Sequence, residues 1–223
     1  IANFDDLDPL DAEPQVEVVF VPPGERLPAD AGLVVIPGSK STIGDLIAFR
    51  ANGWDADLAA HRRRGGHVVG ICGGYQMLGR VVRDPHGIEG GVREAEGLGL
   101  LDVETVMEPH KTVRNRQARS VAFDLPLEGY EIHLGRTSGP DRLRPVSVSG
   151  GVEDGAPSPD GRVFGTYLHG LFTADAFRGR FLESLGVRGG GVDYRAEVER
   201  ALDEIAAHLE RHLDCDAIFA LAR

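Results

Sequence analysis

The sequence predicts an α/β fold: a mostly parallel, doubly wound sheet flanked by helices, with an added antiparallel section. Three observations carry that reading. The early patterns run strand, strand, helix, strand, helix. The strand-like runs are short, apolar and β-branched, and glycine or proline bounds them. In the middle of the chain such runs crowd together with short links, which suit antiparallel neighbours rather than crossovers.

Taken in order, the expected strands are VEVVFV (16–21), GLVVIPG (32–38), HVVGI (67–71), LGLLDVETV (98–106), RSVAFDL (119–125), GYEIHLG (129–135), PVSVS (145–149) and RVFGTYLHG (162–170). HVVGI has the continuous apolar character of a strand buried on both faces. The expected helices are 42–53, 54–65, 73–82, 173–186 and 193–213. The last carries Val198, Leu202, Ile205, Leu209 and Leu213 at helical spacing. Thr173 and Asp193 suit N-caps, and Gly186 suits the position just past a helix end. SGGVEDGAPSPDG (149–161) reads as a turn-rich surface loop. Trp54, at a helix start, reads as packing.

A chain of 223 residues fits one domain, 1–223, able to bury about 70% of the surface its unfolded form exposes. It opens on Ile, and its first residues already read like the interior of a domain, so a C-terminal fragment of a longer chain is expected. The net charge of −11 argues against a nucleic-acid footprint and against polybasic membrane attachment. The one dense basic run, HRRRGGH (61–67), suits a solvated helix end. There are two cysteines, with no CxxC, no signal peptide and no long apolar span, which fits a reduced, cytoplasmic setting. The ratio of 22 Arg to 2 Lys reads as coding bias.

GGHVVGICGGYQMLG (65–79) concentrates the chemistry. A strand ends at Cys72, two glycines follow, and a helix begins. That junction is a sharp turn whose apex residue is pushed into strained backbone space, so Gly70, Gly73 and Gly74 keep its surroundings small. The sulfur then stands at the carboxyl edge of the sheet and at a helix N-terminus, a setting that favours thiolate. The Gly73 N–H can serve an oxyanion. Cys72 as a small buried hydrophobe is the competing reading, and the glycines count against it. Cys215 has no such surroundings and reads as structural.

Two histidines end strands, His133 and His169. His169 follows RVFGTY much as Cys72 follows HVVG, so on neighbouring strands the two side chains converge where α/β sheets gather ligands. His169 is then the base that takes the thiol proton and returns it to a leaving amine. His133 either lines the same pocket or simply ends its strand. A third strand end, Pro37-Gly38-Ser39, offers the Gly38 N–H as a second oxyanion donor.

These residues resemble the nucleophile turn of class I, triad-type glutamine amidotransferases. PGSKSTIGDL, GICGGYQMLG, GLGLLDVET, GYEIHLGRT, GTYLHGLF and the opening IANFDDLDPL are together similar to the glutaminase domains of cobyric acid synthases, over nearly the whole chain. The resemblance implies hydrolysis of L-glutamine through a γ-glutamyl thioester, with Gln76 helping to hold the substrate beside Gly38 and His133. It implies an ATP-dependent synthetase domain, N-terminal in the same polypeptide, that uses the ammonia to amidate cobyrinic acid a,c-diamide side chains in cobalamin biosynthesis. GSKST lacks P-loop spacing, so no cofactor or metal is expected on this chain, with ATP and magnesium on the synthetase domain. In the triad-type enzymes a Glu lies two residues after the catalytic His; here that position is Leu171. The orienting group is then open between Glu131, another carboxylate, a backbone carbonyl and none at all. Arg114, Arg116 and Arg136 are candidates for the α-groups of glutamine.

Other readings remain. The chain could serve cobyrinic acid a,c-diamide synthase or the lipid II amidating enzyme; PGSKSTIGDL and YEIHLGRT weigh against both. It could be a cysteine peptidase or amidase, against which Gln76 counts. It could be a non-catalytic regulatory domain, against which the intact Cys72, His169 and oxyanion glycines count.

Overall fold

The computed structural model describes residues 3–188 and 191–221. Near its start lies a single helical turn, α1 (Asp8–Asp11). Three strands pair in parallel at the centre. β1 (Leu33–Ile36) and β12 (Val163–Thr166) flank β2 (His67–Ile71), and β11 (Ala156–Pro157) adds an antiparallel edge beyond β12. The register places Ile36 opposite Gly70 and Thr166 opposite Ile71, so three strands end side by side.

Alternation along β2 sends side chains to both faces. Val68 joins a cluster with Leu46 of α2 (Thr42–Ala51), Leu58 of α3 (Trp54–Arg63) and Tyr75 and Leu78 of α4 (Gly73–Leu78). Val69 and Ile71 join the opposite cluster, with Phe177, Phe181 and Leu182 of α5 (Asp175–Ser184). Helices therefore cover both faces, as the doubly wound reading requires.

The added section forms two further sheets, antiparallel except for one parallel pair. One has β6 (Thr112–Ser120) at its centre between β7 (Pro126–His133) and β9 (Ser147–Ser149), with β10 (Val152–Asp154) at the edge beyond β9 and the short β13 (Leu168–His169) at the edge beyond β7. The other joins β3 (Val81–Arg83), β4 (Glu94–Glu96), β5 (Glu104–Val106) and β8 (Arg136–Ser138).

Several expectations need correction. Residues 16–21 pair with no strand among the described residues; Val16 and Val18 pack on the core while Val19 and Phe20 face out. Pro14, Pro22 and Pro23 bracket the run and cannot donate to a ladder that would extend it at either end. The helix after Cys72 stops at Leu78, because extended Gly79 and two β-branched valines start β3 instead. Of 98–106 only β5 is strand; the preceding turn is tied to α4 through Leu98 N–H to Met77 O (2.8 Å) and Leu100 N–H to Leu78 O (2.9 Å). The strand expected over 119–125 ends at Ser120, where the β6–β7 turn begins. The run 162–170 is two strands in two sheets, broken at Tyr167. Thr173 does not cap α5, which is preceded by Ala174.

Asp193 does cap α6 (Tyr194–His212), accepting from the Ala196 N–H at 3.0 Å. Gly186 follows α5 with φ 82°, the left-handed turn expected of it. A last helix, α7 (Cys215–Leu221), carries Cys215. Among the described residues no helix is long and apolar enough to cross a membrane.

Candidate active site

Cys72 stands one residue past β2 with φ 53° and ψ −108°, strained for a residue with a Cβ. Its N–H donates to Thr166 O on β12 at 2.8 Å, which ties the nucleophile turn to the strand that leads to His169. The flanking glycines are steric necessities. A Cβ on Gly74 would collide with the Ile36 carbonyl oxygen, and one on Gly73 would lie 2.8 Å from Ser39 N. Gly73 opens α4, so its N–H has no carbonyl within the helix to bond. Gly38 is buried two residues past β1.

His169 lies three residues past β12, and the intervening break is built by Asp154. That buried carboxylate accepts from Thr166 Oγ1 and from the Tyr167 N–H (3.1 Å). Burial pushes the Asp154 carboxyl up, against the hydrogen bonds that hold its charge. The chain then turns into β13, where His169 sits opposite Tyr130 of β7 and stacks on its ring, with centroids 5.0 Å apart.

The residue that orients His169 is Asp6. Its Oδ2 accepts from His169 Nδ1 at 2.7 Å and its Oδ1 from the Gly170 N–H at 2.8 Å; both side chains are 1% exposed. The opposite ring nitrogen, Nε2, is buried with no hydrogen-bond partner among the described residues. Burial alone would lower the imidazole pKa, but the Asp6 carboxylate and the Cys72 sulfur outweigh it and raise it to about 9. The sulfur acts here as a close neighbour, short of a formed hydrogen bond to Nε2; its own contact is to Ile132 O at 3.5 Å.

Leu171, at the position of the usual glutamate, is wholly buried in the core beside Phe172. Glu131 does not orient His169: Arg116 takes both of its oxygens, at 2.8 and 3.1 Å. Asp6 belongs to a segment more than 160 residues away in sequence, and the opening IANFDDLDPL is its only trace in the motifs. That segment is locked down by a second buried pair, Arg178 Nε to Glu13 Oε1 at 2.7 Å. Asn3 adds a bond from Nδ2 to the Tyr130 hydroxyl at 2.9 Å.

A cavity of about 230 Å³ joins these groups, and Gly38, Cys72, Gln76, His133 and His169 all line it. The Gln76 amide is fully engaged. It accepts from Thr42 Oγ1 at 2.8 Å and donates to Leu134 O (2.8 Å) and the Tyr167 hydroxyl (3.2 Å). His133 stacks on Tyr167 with centroids 3.7 Å apart, and burial holds its pKa below the ordinary histidine value. Arg114, Arg116 and Arg136 do not line the cavity; the first two face Glu131, and Arg136 pairs with Glu108 at 3.2 Å.

A family profile, the CobB/CobQ-like glutamine amidotransferase domain, matches residues 1–177. The whole chain is 79% identical to a cobyric acid synthase of Mesorhizobium japonicum, where it spans 45% of that protein. It is 68% identical to a cobyric acid synthase of Brucella canis, of which it spans 46%. Among solved structures, PurLQS from Thermotoga maritima aligns with a TM-score of 0.55 at 19% identity, over 90% of this chain and 93% of that one. A glutamine amidotransferase crystal structure aligns with a TM-score of 0.51 at 16% identity, over 70% of this chain and 80% of that one. These two likenesses concern the fold alone.

Proposed function

The chain belongs to the CobB/CobQ-like glutamine amidotransferase domain family, and on that premise we propose that it is the glutaminase part of a cobyric acid synthase. The observation that carries the chemistry is the arrangement of Cys72 on a left-handed turn beside the free Nε2 of a histidine whose Nδ1 is held by buried Asp6. Glutamine enters with its γ-amide over the sulfur. Nε2 takes the thiol proton, which an imidazole raised to about 9 holds well. The sulfur attacks the amide carbon, and the tetrahedral oxyanion is received by the N–H groups of Gly38 and Gly73. His169 returns the proton to the leaving nitrogen, releasing ammonia and leaving a γ-glutamyl thioester. Water, deprotonated by the same imidazole, then hydrolyses the thioester to glutamate and restores the thiol. Gln76, fixed by three bonds, and His133, fixed by its stacking, shape the wall along which the substrate lies.

The high identity along the whole chain to cobyric acid synthases favours that enzyme over its sister amidating synthetases. In this reading the ammonia passes to an ATP-dependent synthetase domain of the same polypeptide, which binds ATP and magnesium and amidates cobyrinic acid a,c-diamide. The test is glutamate release from glutamine. The wild type is expected to turn over, Cys72→Ala to show none, and His169→Ala to fall by roughly 10²–10⁴. Retained hydrolysis in Cys72→Ala would overturn the assignment.

A further inference from the structure

The chain has 22 arginines and 2 lysines, and both lysines line the cavity above Cys72 while no arginine does. Coding bias does not account for that placement: fourteen of 223 residues form the lining, and Lys40 and Lys111 are among them. They approach from different parts of the fold. Lys40 follows β1, in the same loop as Gly38, and Lys111 directly precedes β6. Neither enters an ion pair among the described residues. The other charged lining group, histidines aside, is Glu89.

Glu89 is presented by a built loop. Asp84 is fully buried and accepts from the Ile88 N–H at 2.8 Å and the Glu89 N–H at 2.9 Å. Burial disfavours its charge, but these N–H groups and that of Gly87 prevail and hold its carboxyl below the usual range. One Glu89 oxygen is then pinned by the Ile43 N–H at 3.1 Å, in the first turn of α2. The cavity is thus graded. Its reactive end holds Cys72 and His169, 7% and 1% exposed, whereas Lys40 and Lys111 are exposed at its rim and Glu89 is half-buried.

A free amino acid whose amide reaches the sulfur leaves its α-carboxylate and α-ammonium near that rim. We propose that Lys40 and Lys111 receive the α-carboxylate of glutamine and that Glu89 receives its α-ammonium. The assignment rests on the glutaminase reading and replaces the three arginines expected for this role. Lysine suits the task, because its ammonium is a compact charge on a flexible stem and can close on a carboxylate from either side. Such a clamp also excludes glutamine side chains within peptides, whose α-groups are uncharged amides.

The test compares kcat/KM for glutamine, for 5-amino-5-oxopentanoate, which lacks the α-amino group, and for 4-aminobutanamide, which lacks the α-carboxylate. The intact polypeptide is used as wild type, Glu89→Gln and Lys40→Met/Lys111→Met. Glu89→Gln keeps an oxygen for the Ile43 N–H, and both lysines are exposed, so folding is preserved. Removing either charged partner of the substrate is expected to cost roughly ten- to a hundredfold. Glu89→Gln is expected to lose its preference for glutamine over the des-amino compound while keeping its preference over 4-aminobutanamide. The double lysine variant is expected to show the reverse. Variants that discriminate as the wild type does would overturn the clamp and leave the glutaminase reading standing. A wild type that hydrolyses none of the three would overturn both.

Discussion

The two ends of the described chain make opposite use of the core. The N-terminal segment, residues 3–13, is built from two single helical turns, Phe4–Asp6 and α1, and it places Asp6 and Glu13 at 1% and 3% exposure against His169 and Arg178. α6, near the C-terminus, is 19 residues of regular helix with a stripe of Val198, Leu202, Ile205 and Leu209, and none of its residues is buried. Helix length and burial are therefore separate properties. An amphipathic helix can satisfy its backbone internally whatever lies against its face. The short N-terminal turns are held instead by tertiary contacts: Leu7 and Leu10 pack in the core, and Asp6 and Glu13 carry their carboxylates to buried partners.

That contrast can be broken by mutation. The largest effect is expected at Asp6. Asp6→Asn keeps the shape but removes the charge that steadies the imidazolium, and glutamine hydrolysis is expected to fall by roughly 10²–10⁴ at neutral pH. The pH profile separates this from a folding defect. His169 is raised in the folded state, so its imidazolium persists until pH rises through about 9. The stabilisation linked to it is complete below the ordinary histidine value of about 6.5 and is lost as pH rises from there through about 9. In Asp6→Asn the alkaline limb of kcat/KM is expected to move down toward that ordinary value, because only the Cys72 sulfur then opposes burial. An unmoved limb would show that Asp6 does not govern the base.

Next comes Glu13→Ala, which removes one of the two carboxylates paired with the buried Arg178 guanidinium and leaves Asp175, at 2.8 Å, as the other. A loss of about 1–3 kcal/mol in unfolding free energy is expected, the cost of leaving the buried Nε donor without its acceptor, measured by urea titration. A loss below about 0.5 kcal/mol would mean that the remaining bonds of Arg178, to Asp175, Phe172 O and Val192 O, are enough to hold it without Glu13. The smallest effect is expected on α6. Leu202→Ser, at a side chain 55% exposed, is expected to change the stability of this chain by no more than about 0.5 kcal/mol. A cost of several kcal/mol would show that the stripe is covered in solution.

Much of the reacting centre is legible in the sequence because its constraints are local. Cys72 and its glycines lie within five residues, and each glycine is demanded by a neighbour's backbone or side chain. The strand ends at Gly38, Cys72 and His169 can be aligned because parallel strands bring their carboxyl ends together. Asp6 is not legible as a partner, because nothing within ten residues of it signals His169; only the packing of the first segment joins them. Leu171 says where the orienting carboxylate is not, without saying where it is. Lys40 and Lys111 escape notice for a related reason: their meaning lies in sharing one cavity from different parts of the fold, whereas a count of basic residues sees only their scarcity. The strand expected at 16–21 does not form because apolar alternation reports a face to bury and not a ladder to join, and proline stands on both sides.

The most direct test of the central claim is the mass of the intact protein, followed by a peptide map, after incubation with a glutamine-like diazoketone. One adduct per chain is expected, on Cys72 alone, with excess glutamine preventing its formation. An adduct on Cys215, or labelling of Cys72 that glutamine does not slow, would contradict an activated thiol at the foot of a glutamine-shaped cavity.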